Sequence, residues 1–147
     1  NWTETQPVGD VDRNWIAVAS DADGSNLIAA ISSGRLYTSS NGGDSWVETQ
    51  PAGAADRSSR FVASDDDGTN LFVGAASERI YTSTNGGTNW FPQTSGGLYG
   101  LRSAHFINSQ TGWSAGSAGS DACVQFYGPA REQQSKVAKG FCCECFA

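Results

Sequence analysis

Two short acidic turns contain the side chains best suited to binding a metal ion. The stretch SDADGSNL begins at Ser20 and returns as SDDDGTNL at Ser64, so each copy clusters carboxylate and amide oxygens around a glycine. Such clusters are typical of calcium loops, although neither copy has the full calcium-loop spacing or its closing Glu. The candidate calcium ligands are Asp21, Asp23, Asp65 and Asp67. Because similar clusters form ordinary solvated turns, we expect no bound metal and no cofactor, with calcium as the alternative.

A second repeated stretch places hydroxyl, amide, glycine and indole groups at fixed spacing. TSSNGGDSW begins at Thr38 and returns as TSTNGGTNW at Thr82; we call these stretches the first and second NGG turns. Asn-Gly and Gly-Gly supply the positive φ angles of a tight hairpin, and a Trp can anchor it. We therefore interpret both stretches as structural turns without a catalytic role. Their key residues are Ser39, Asn41, Gly43, Trp46, Ser83, Asn85, Gly87 and Trp90.

Both kinds of turn belong to a repeat with a period of 44 residues. Each full copy contains four short runs rich in β-branched, aromatic and small residues, for example WIAVAS, NLIAAIS, RLYTSS and SWVETQ. Four short antiparallel strands in a repeat of about 40–50 residues indicate a β-propeller blade. A third copy begins after Trp90 but has no NGG turn. The predicted blades cover about residues 10–51, 54–95 and 98–127.

The NGG turns resemble the Asp-box, or BNR repeat, whose pattern is Ser/Thr-x-Asp/Asn-x-Gly-x-Thr/Ser-Trp. The second turn departs from it at Asn89, where a hydroxyl residue is usual. Asp-boxes occur in sialidases, sortilin-type receptors, some propeller lectins and photosystem assembly factors. The third unit, FINSQTGWSAG, is more similar to the photosystem-factor variety. The resemblance covers about residues 1–120, and it implies an all-β propeller-like fold without implying a reaction.

Charge and hydropathy exclude two classes of partner. A net charge of −6 gives the chain no electrostatic attraction to phosphate backbones, so we expect no nucleic-acid partner. No apolar run approaches the roughly 20 residues that a membrane-spanning helix needs, so we expect no membrane insertion.

Enzymatic activity of the sialidase type would need an arginine cluster, a Tyr paired with a Glu, and an acid. Four of the arginines recur at the repeat period, as residues fixed by their position in a blade would. They are Arg13 with Arg57, and Arg35 with Arg79. The single histidine, His105, leaves little material for acid–base chemistry. The remaining arginines are Arg60 and Arg102. We therefore expect no enzymatic activity.

A compositional boundary separates repeats at 1–121 from a Cys-rich tail at 122–147. Every lysine and every cysteine lies in this tail. The cysteines are Cys123, Cys142, Cys143 and Cys145. We expect disulfides whose pairing is open, with zinc as an alternative that lacks the usual paired C-x-x-C spacing. Pro and Gly at the two ends of 129–140 predict a short helix there.

The amino terminus suggests an exported protein. The chain starts at Asn1 and contains no Met, which we interpret as the removal of an upstream secretory segment. Asn1-Trp2-Thr3 is also a glycosylation sequon. We therefore expect a secreted or extracellular protein.

Three units are fewer than the four to eight blades of known propellers. The repeat aligns residues 1–7 with the outer strand of a blade, and the third unit lacks that strand. We expect residues 1–7 to complete the third blade, in the same chain through a compact three-blade closure or in a neighbouring copy. The leading hypothesis is a non-catalytic subunit that self-assembles into an extracellular fibre through strand complementation and terminal disulfides. A glycan-binding propeller lectin and a photosystem-type assembly factor are the alternatives.

Overall fold

The structure is a computed structural model. It describes residues 3–9, 11–32, 35–51, 59–75, 80–93, 101–109, 111–117, 121–127 and 136–139, with side chains described as far as residue 114. The regular elements in these ranges are all β-strands, arranged in three four-stranded antiparallel sheets. The predicted all-β fold of four-stranded blades is confirmed. No helix in the described part of the chain is long and apolar enough to cross a membrane.

The first two sheets reproduce the sequence repeat strand by strand. The first sheet contains β1 (Trp15–Ser20), β2 (Leu27–Ile31), β3 (Leu36–Ser39) and β4 (Val47–Thr49). The second contains β5 (Ser59–Ser64), β6 (Leu71–Ala75), β7 (Ile80–Ser83) and β8 (Phe91–Gln93). Consecutive strands pair in both sheets, because short turns join antiparallel neighbours. The acidic turn joins the first two strands of each sheet, and the NGG turn joins the last two.

The third sheet extends into the segment predicted to be a tail. Its strands are β9 (Leu101–Asn108), β10 (Thr111–Ser117), β11 (Asp121–Tyr127) and β12 (Lys136–Lys139). The predicted helix over 129–140 is therefore wrong at 136–139, where pairing with β11 overrides a weak local helical preference.

The outer position of the third sheet is occupied by β12, so residues 3–7, the described part of the predicted outer strand, do not complete this sheet within the chain. Residues 3–6 lie outside any strand. The compact three-blade closure is also wrong, because the three sheets do not close into a ring.

The hydrophobic core lies between the sheets. Ile28, Ala30 and Leu36 of the first sheet pack against side chains of the second, which are Val62, Leu71 and Val73. The other face of the second sheet packs against the third, through a cluster of Phe61, Ala63, Phe72, Ile80, Leu101 and Phe106. The second sheet is therefore covered on both faces, which explains why β6 is an apolar run without polar alternation.

The second sheet differs from the first in the side-chain sizes of one pair of facing residues. Ala17 pairs with Ala30 in the first sheet, whereas Phe61 pairs with Gly74 at the equivalent place in the second. The Phe61 ring lies over Gly74 so closely that a Cβ added there would be 2.1 Å from a ring carbon. The glycine at position 74 is therefore required by the aromatic ring, which stacks on Phe72 at a centroid distance of 5.8 Å.

We expect Gly74→Ala to destabilise the wild-type chain by about 1–3 kcal/mol, because the added methyl group overpacks the core. In a Phe61→Ala background, Gly74→Ala completes the alanine pair found in the first sheet. There the change should cost less than about 0.5 kcal/mol. Urea unfolding of the four chains gives the coupling free energy. Equal costs in both backgrounds would contradict the packing described.

Candidate interaction surface

The polar side chains of the first NGG turn form hydrogen bonds within the turn itself. The Ser39 hydroxyl accepts hydrogen bonds from the backbone N–H groups of Asn41 and Gly43, at 3.3 and 2.9 Å. Asn41 Oδ1 accepts from the Ser45 N–H at 2.9 Å. Gly42 and Gly43 have φ angles of 67° and 93°, which L side chains rarely adopt. These contacts position the hairpin.

The second NGG turn has the same geometry. The Gly87 N–H donates to Ser83 Oγ at 2.8 Å, and the Asn89 N–H donates to Asn85 Oδ1 at 2.8 Å. Its backbone is also tied to the acidic turn of the same sheet, because the Gly86 N–H donates to the Thr69 carbonyl at 3.0 Å. Both turns therefore lie at one end of the sheet and stabilise each other.

The candidate calcium ligands are engaged in turn hydrogen bonds. Asp23 Oδ1 accepts from the Ser25 N–H, and Asp67 Oδ1 accepts from the Thr69 N–H, each at 2.9 Å. Asp21 and Asp65 are buried and accept from the amide groups of the Asn five residues later. Over the described ranges, no three His, Cys, Asp or Glu side chains are placed to hold a metal ion.

The two buried carboxyls nevertheless differ in their proton affinity. Burial raises the pKa of Asp21, but hydrogen bonds from Asn26, Ser25 and the Gly24 backbone outweigh it and hold the pKa below the ordinary value of 3.8. Burial also raises the pKa of Asp65, and there the repulsion of Asp67 helps to keep it above 3.8.

The hydroxyl group four residues after each buried Asp contributes to this difference. The Ser25 hydroxyl donates to Asp21 Oδ2 at 3.1 Å, whereas the equivalent Thr69 hydroxyl donates to Asp67 Oδ1. Asp65 therefore lacks one of the hydrogen bonds that stabilise the Asp21 carboxylate.

One Tyr and Glu pair lies on the first sheet beside an arginine. Tyr37 Oη donates to Glu48 Oε2 at 3.2 Å, and Arg35 Nη1 contacts Glu48 Oε1 at 2.8 Å. Burial and the adjacent Glu48 raise the pKa of Tyr37, which opposes formation of the phenolate that a tyrosine nucleophile needs. The ion pair itself is largely exposed, and such pairs contribute about 0–1 kcal/mol to stability.

Polar contacts join the first sheet to the second. The Trp90 indole Nε1–H donates to Thr49 Oγ1 at 2.8 Å, and the Thr49 hydroxyl donates to the Gly87 carbonyl at 2.8 Å. The indole of Trp46 instead donates to the carbonyl of Gly43 in its own turn, at 3.0 Å. The two equivalent tryptophans are both partly buried, but only Trp90 bridges two sheets.

On the face turned away from the second sheet, the first sheet is exposed along β1, whereas Ala29 and Tyr37 are buried. Val62 contacts the first sheet and is 8% exposed, and Phe106 contacts the second sheet and is 9% exposed. The repeat equivalent of Val62 in the first sheet, Val18, is 70% exposed. The face around it forms a groove whose lining includes Thr5, Trp15, Ile16, Val18, Ala29 and Trp46. We call this surface the open face; an apolar surface of this kind is a candidate site for protein contacts.

The segment before β1 covers part of the open face. Thr5 lies against Gly43, and a Cβ added at Gly43 would be 3.1 Å from Thr5 Cγ2. The repeat equivalent of Thr5 is Thr49, which bonds the Gly87 carbonyl across a sheet interface. Residues near Thr5 therefore lie where the outer strand of a preceding blade would contact the first sheet.

Several predicted sites fall outside this surface or outside the described residues. Cys123 is in β11, where its backbone pairs with Ala138. Asn1, Cys142, Cys143 and Cys145 lie outside the described residues, as do Arg57 and Arg79. The sequence alone does not reveal the open face, because Val18 lies in an ordinary strand pattern. Its repeat equivalents, Val62 and Phe106, are buried, so the difference lies in the tertiary structure. A comparison of burial at each repeat position is needed to find it.

Comparison with solved structures shows likeness to β-propellers. The chain matches "YCF48 bound to D1 peptide" with a TM-score of 0.66 and 14% identity, covering 88% of this chain and 46% of that one. It matches YCF48 from Cyanidioschyzon merolae with a TM-score of 0.66 and 16% identity, covering 86% and 40%. A GH74 enzyme from Niastella koreensis matches with a TM-score of 0.57 and 17% identity, covering 74% and 16%.

These matches establish the fold and leave the activity open, because the identities are low. The chain spans less than half of the length of each of these propeller proteins. No model of a protein family and no curated protein sequence matches the chain.

We expect Gly68→Ala to destabilise the chain more than Gly24→Ala, by about 1–3 kcal/mol. Both glycines have φ angles in the left-handed region, 74° and 78°, so both changes incur the same backbone strain. A Cβ at position 68 would also lie 2.4 Å from Asn26 Cβ, whereas a Cβ at position 24 meets nothing within 4 Å. Thermal and urea unfolding measure the difference. Equal losses would show that Asn26 adjusts freely at the sheet interface.

We expect Asp21→Asn and Asp65→Asn to change the pH dependence of stability in opposite directions. The raised pKa of Asp65 makes the folded chain bind the proton more tightly, so stability is lost as pH rises from about 4 through the folded pKa. The lowered pKa of Asp21 contributes stability above about pH 4 that is lost as pH falls through its folded pKa. Each Asn variant should remove the pH dependence that the replaced carboxyl contributes to the free energy of unfolding. Identical pH profiles for both variants would refute the assignment.

Proposed function

We propose that this protein is a non-catalytic propeller-repeat subunit that self-assembles through the open face of its first sheet. The observation that carries the proposal is the exposure of Val18, 70% against 8% for its equivalent Val62, which is covered by a neighbouring sheet. Burying Val18 in the same manner would remove apolar surface from water, which favours association.

Continuity with the rest of the fold supports association with another blade. Both faces of the second sheet are covered by neighbouring sheets of the same type, and the three described sheets do not close into a ring. A contact that repeats the internal interface between copies is heterologous, so it generates a closed ring or a filament according to its rotation. The extracellular fibre expected from the sequence is one of these two forms, with the open face in place of a donated strand as the joint.

A second candidate function is binding a segment of a partner protein. The likeness to a solved structure described as YCF48 bound to D1 peptide supports it, as does the groove on the open face. In that case the open face would bind a foreign peptide, and this chain would act as an assembly factor. The likeness to GH74 enzymes at 17% identity extends only to the fold and does not support a hydrolase.

We expect Val18→Asp to weaken self-association by at least about 100-fold, because an unpaired carboxylate would be buried in the contact. The matched control is Val47→Asp in β4, where the valine is 68% exposed and lies outside the open face. Sedimentation velocity across a range of concentrations measures the association. A wild-type chain that stays monomeric at every concentration, or equal weakening by both variants, would contradict the proposed function.

A further inference from the structure

Each NGG turn contains an Asn-Gly sequence, Asn41-Gly42 in the first turn and Asn85-Gly86 in the second. Both asparagines are exposed to water. Asn is a thermolabile residue, and a following Gly favours loss of its side-chain amide because no side chain shields the Gly nitrogen. That nitrogen loses its proton and bonds to the Asn Cγ, the bond from Cγ to Nδ2 breaks, and ammonia leaves. Water then opens the cyclic imide to an Asp or an isoaspartate.

The backbone holds the two glycine nitrogens in the same way. The Gly42 N–H donates to the Ser25 carbonyl at 2.9 Å, and the Gly86 N–H donates to the Thr69 carbonyl at 3.0 Å. A nitrogen engaged in such a bond keeps the proton that has to leave before the attack. Both reactions therefore require local opening of the bond between the NGG turn and the acidic turn, and the two sites share this barrier.

The side-chain amides of the two asparagines are held differently. In both turns the Asn Oδ1 accepts from the Ser hydroxyl two residues earlier and from the backbone N–H four residues later. In the first turn, Asn41 Nδ2 also donates to Ser45 Oγ at 2.9 Å. The second turn has Asn89 at the place of Ser45. Among the described residues, Asn85 Nδ2 therefore has no hydrogen-bond partner.

We propose that Asn85 is a site of spontaneous deamidation in the folded chain and that Asn41 is its protected equivalent. When the Asn85 side chain rotates toward the Gly86 nitrogen, it breaks only the hydrogen bonds to its oxygen. Asn41 also has to break the bond from Nδ2 to Ser45, which restrains the group that departs as ammonia. One neutral hydrogen bond of this kind corresponds to a difference of about 2- to 10-fold in rate.

The two products have different effects on the fold. An Asp at position 85 adds a negative charge but keeps an acceptor oxygen for the Ser83 hydroxyl and the Asn89 N–H, and the repeat pattern accepts Asp or Asn there. An isoaspartate adds a methylene group to the main chain two residues before Gly87, whose carbonyl accepts from the Thr49 hydroxyl of the first sheet. The isoaspartate product should therefore weaken the contact between the first and second sheets.

The test compares the two turns within one chain. The wild-type chain is incubated at mildly alkaline pH in water enriched in heavy oxygen, both folded and in guanidinium chloride, and peptide mapping by mass spectrometry follows each Asn. In the folded chain Asn85 should deamidate about 2- to 10-fold faster than Asn41. In guanidinium chloride the two rates should become similar, because only sequence neighbours act there. A folded ratio near one, or the same ratio in both conditions, overturns the proposal.

Reciprocal variants test whether the hydroxyl group causes the difference. Asn89→Ser gives the second turn the hydroxyl of the first and should slow Asn85 to about the rate of Asn41. Ser45→Asn removes the hydroxyl from the first turn and should raise the rate of Asn41 to about that of Asn85. If circular dichroism shows that Ser45→Asn is unfolded, Asn89→Ser alone decides. An unchanged rate at Asn85 in folded Asn89→Ser would show that the Nδ2 contact does not control the reaction, and the proposal is then wrong.

Discussion

The burial of both faces of each sheet is the constraint on which this structure depends. A strand such as β6 is apolar along its whole length, so its sheet is stable in water only between two neighbours. The second sheet satisfies this requirement through the two core clusters on its faces. On the face of the first sheet turned away from the second, Ala29 and Tyr37 are buried, and the exposed apolar side chains are those of β1, such as Val18.

The repeated polar residues serve this stacking. In the first and second sheets, the NGG turns close the outer hairpins, the acidic turns close the inner ones, and backbone hydrogen bonds join the two turns. The Ala22 N–H donates to the Asp66 carbonyl at 3.0 Å and continues the connection from the first sheet to the second. Buried carboxyls such as Asp21 and Asp65 therefore act as internal acceptors that fix the turns. Asp21 Oδ1 is the exception among the described side chains, because it is buried without a hydrogen-bond partner.

The likeness to larger propellers agrees with an incomplete ring. The chain covers 46% and 40% of the two YCF48 structures, and its three sheets form an arc with two different ends. A peptide, another blade or another copy would each bury the exposed apolar side chains of β1.

The sequence by itself determined the blade architecture, because the 44-residue period, the strand-like runs and the glycine turns are local patterns that recur in register. It also indicated that Ser39 and Ser83 serve turns, since hydroxyl, Asn and Gly at that spacing bond their own backbone. The helix predicted from the sequence is wrong at 136–139, because pairing with β11 makes this segment a strand. Only the tertiary structure decided that Val18 is exposed and Val62 is buried, because identical residues at equivalent positions differ only in whether another sheet covers them.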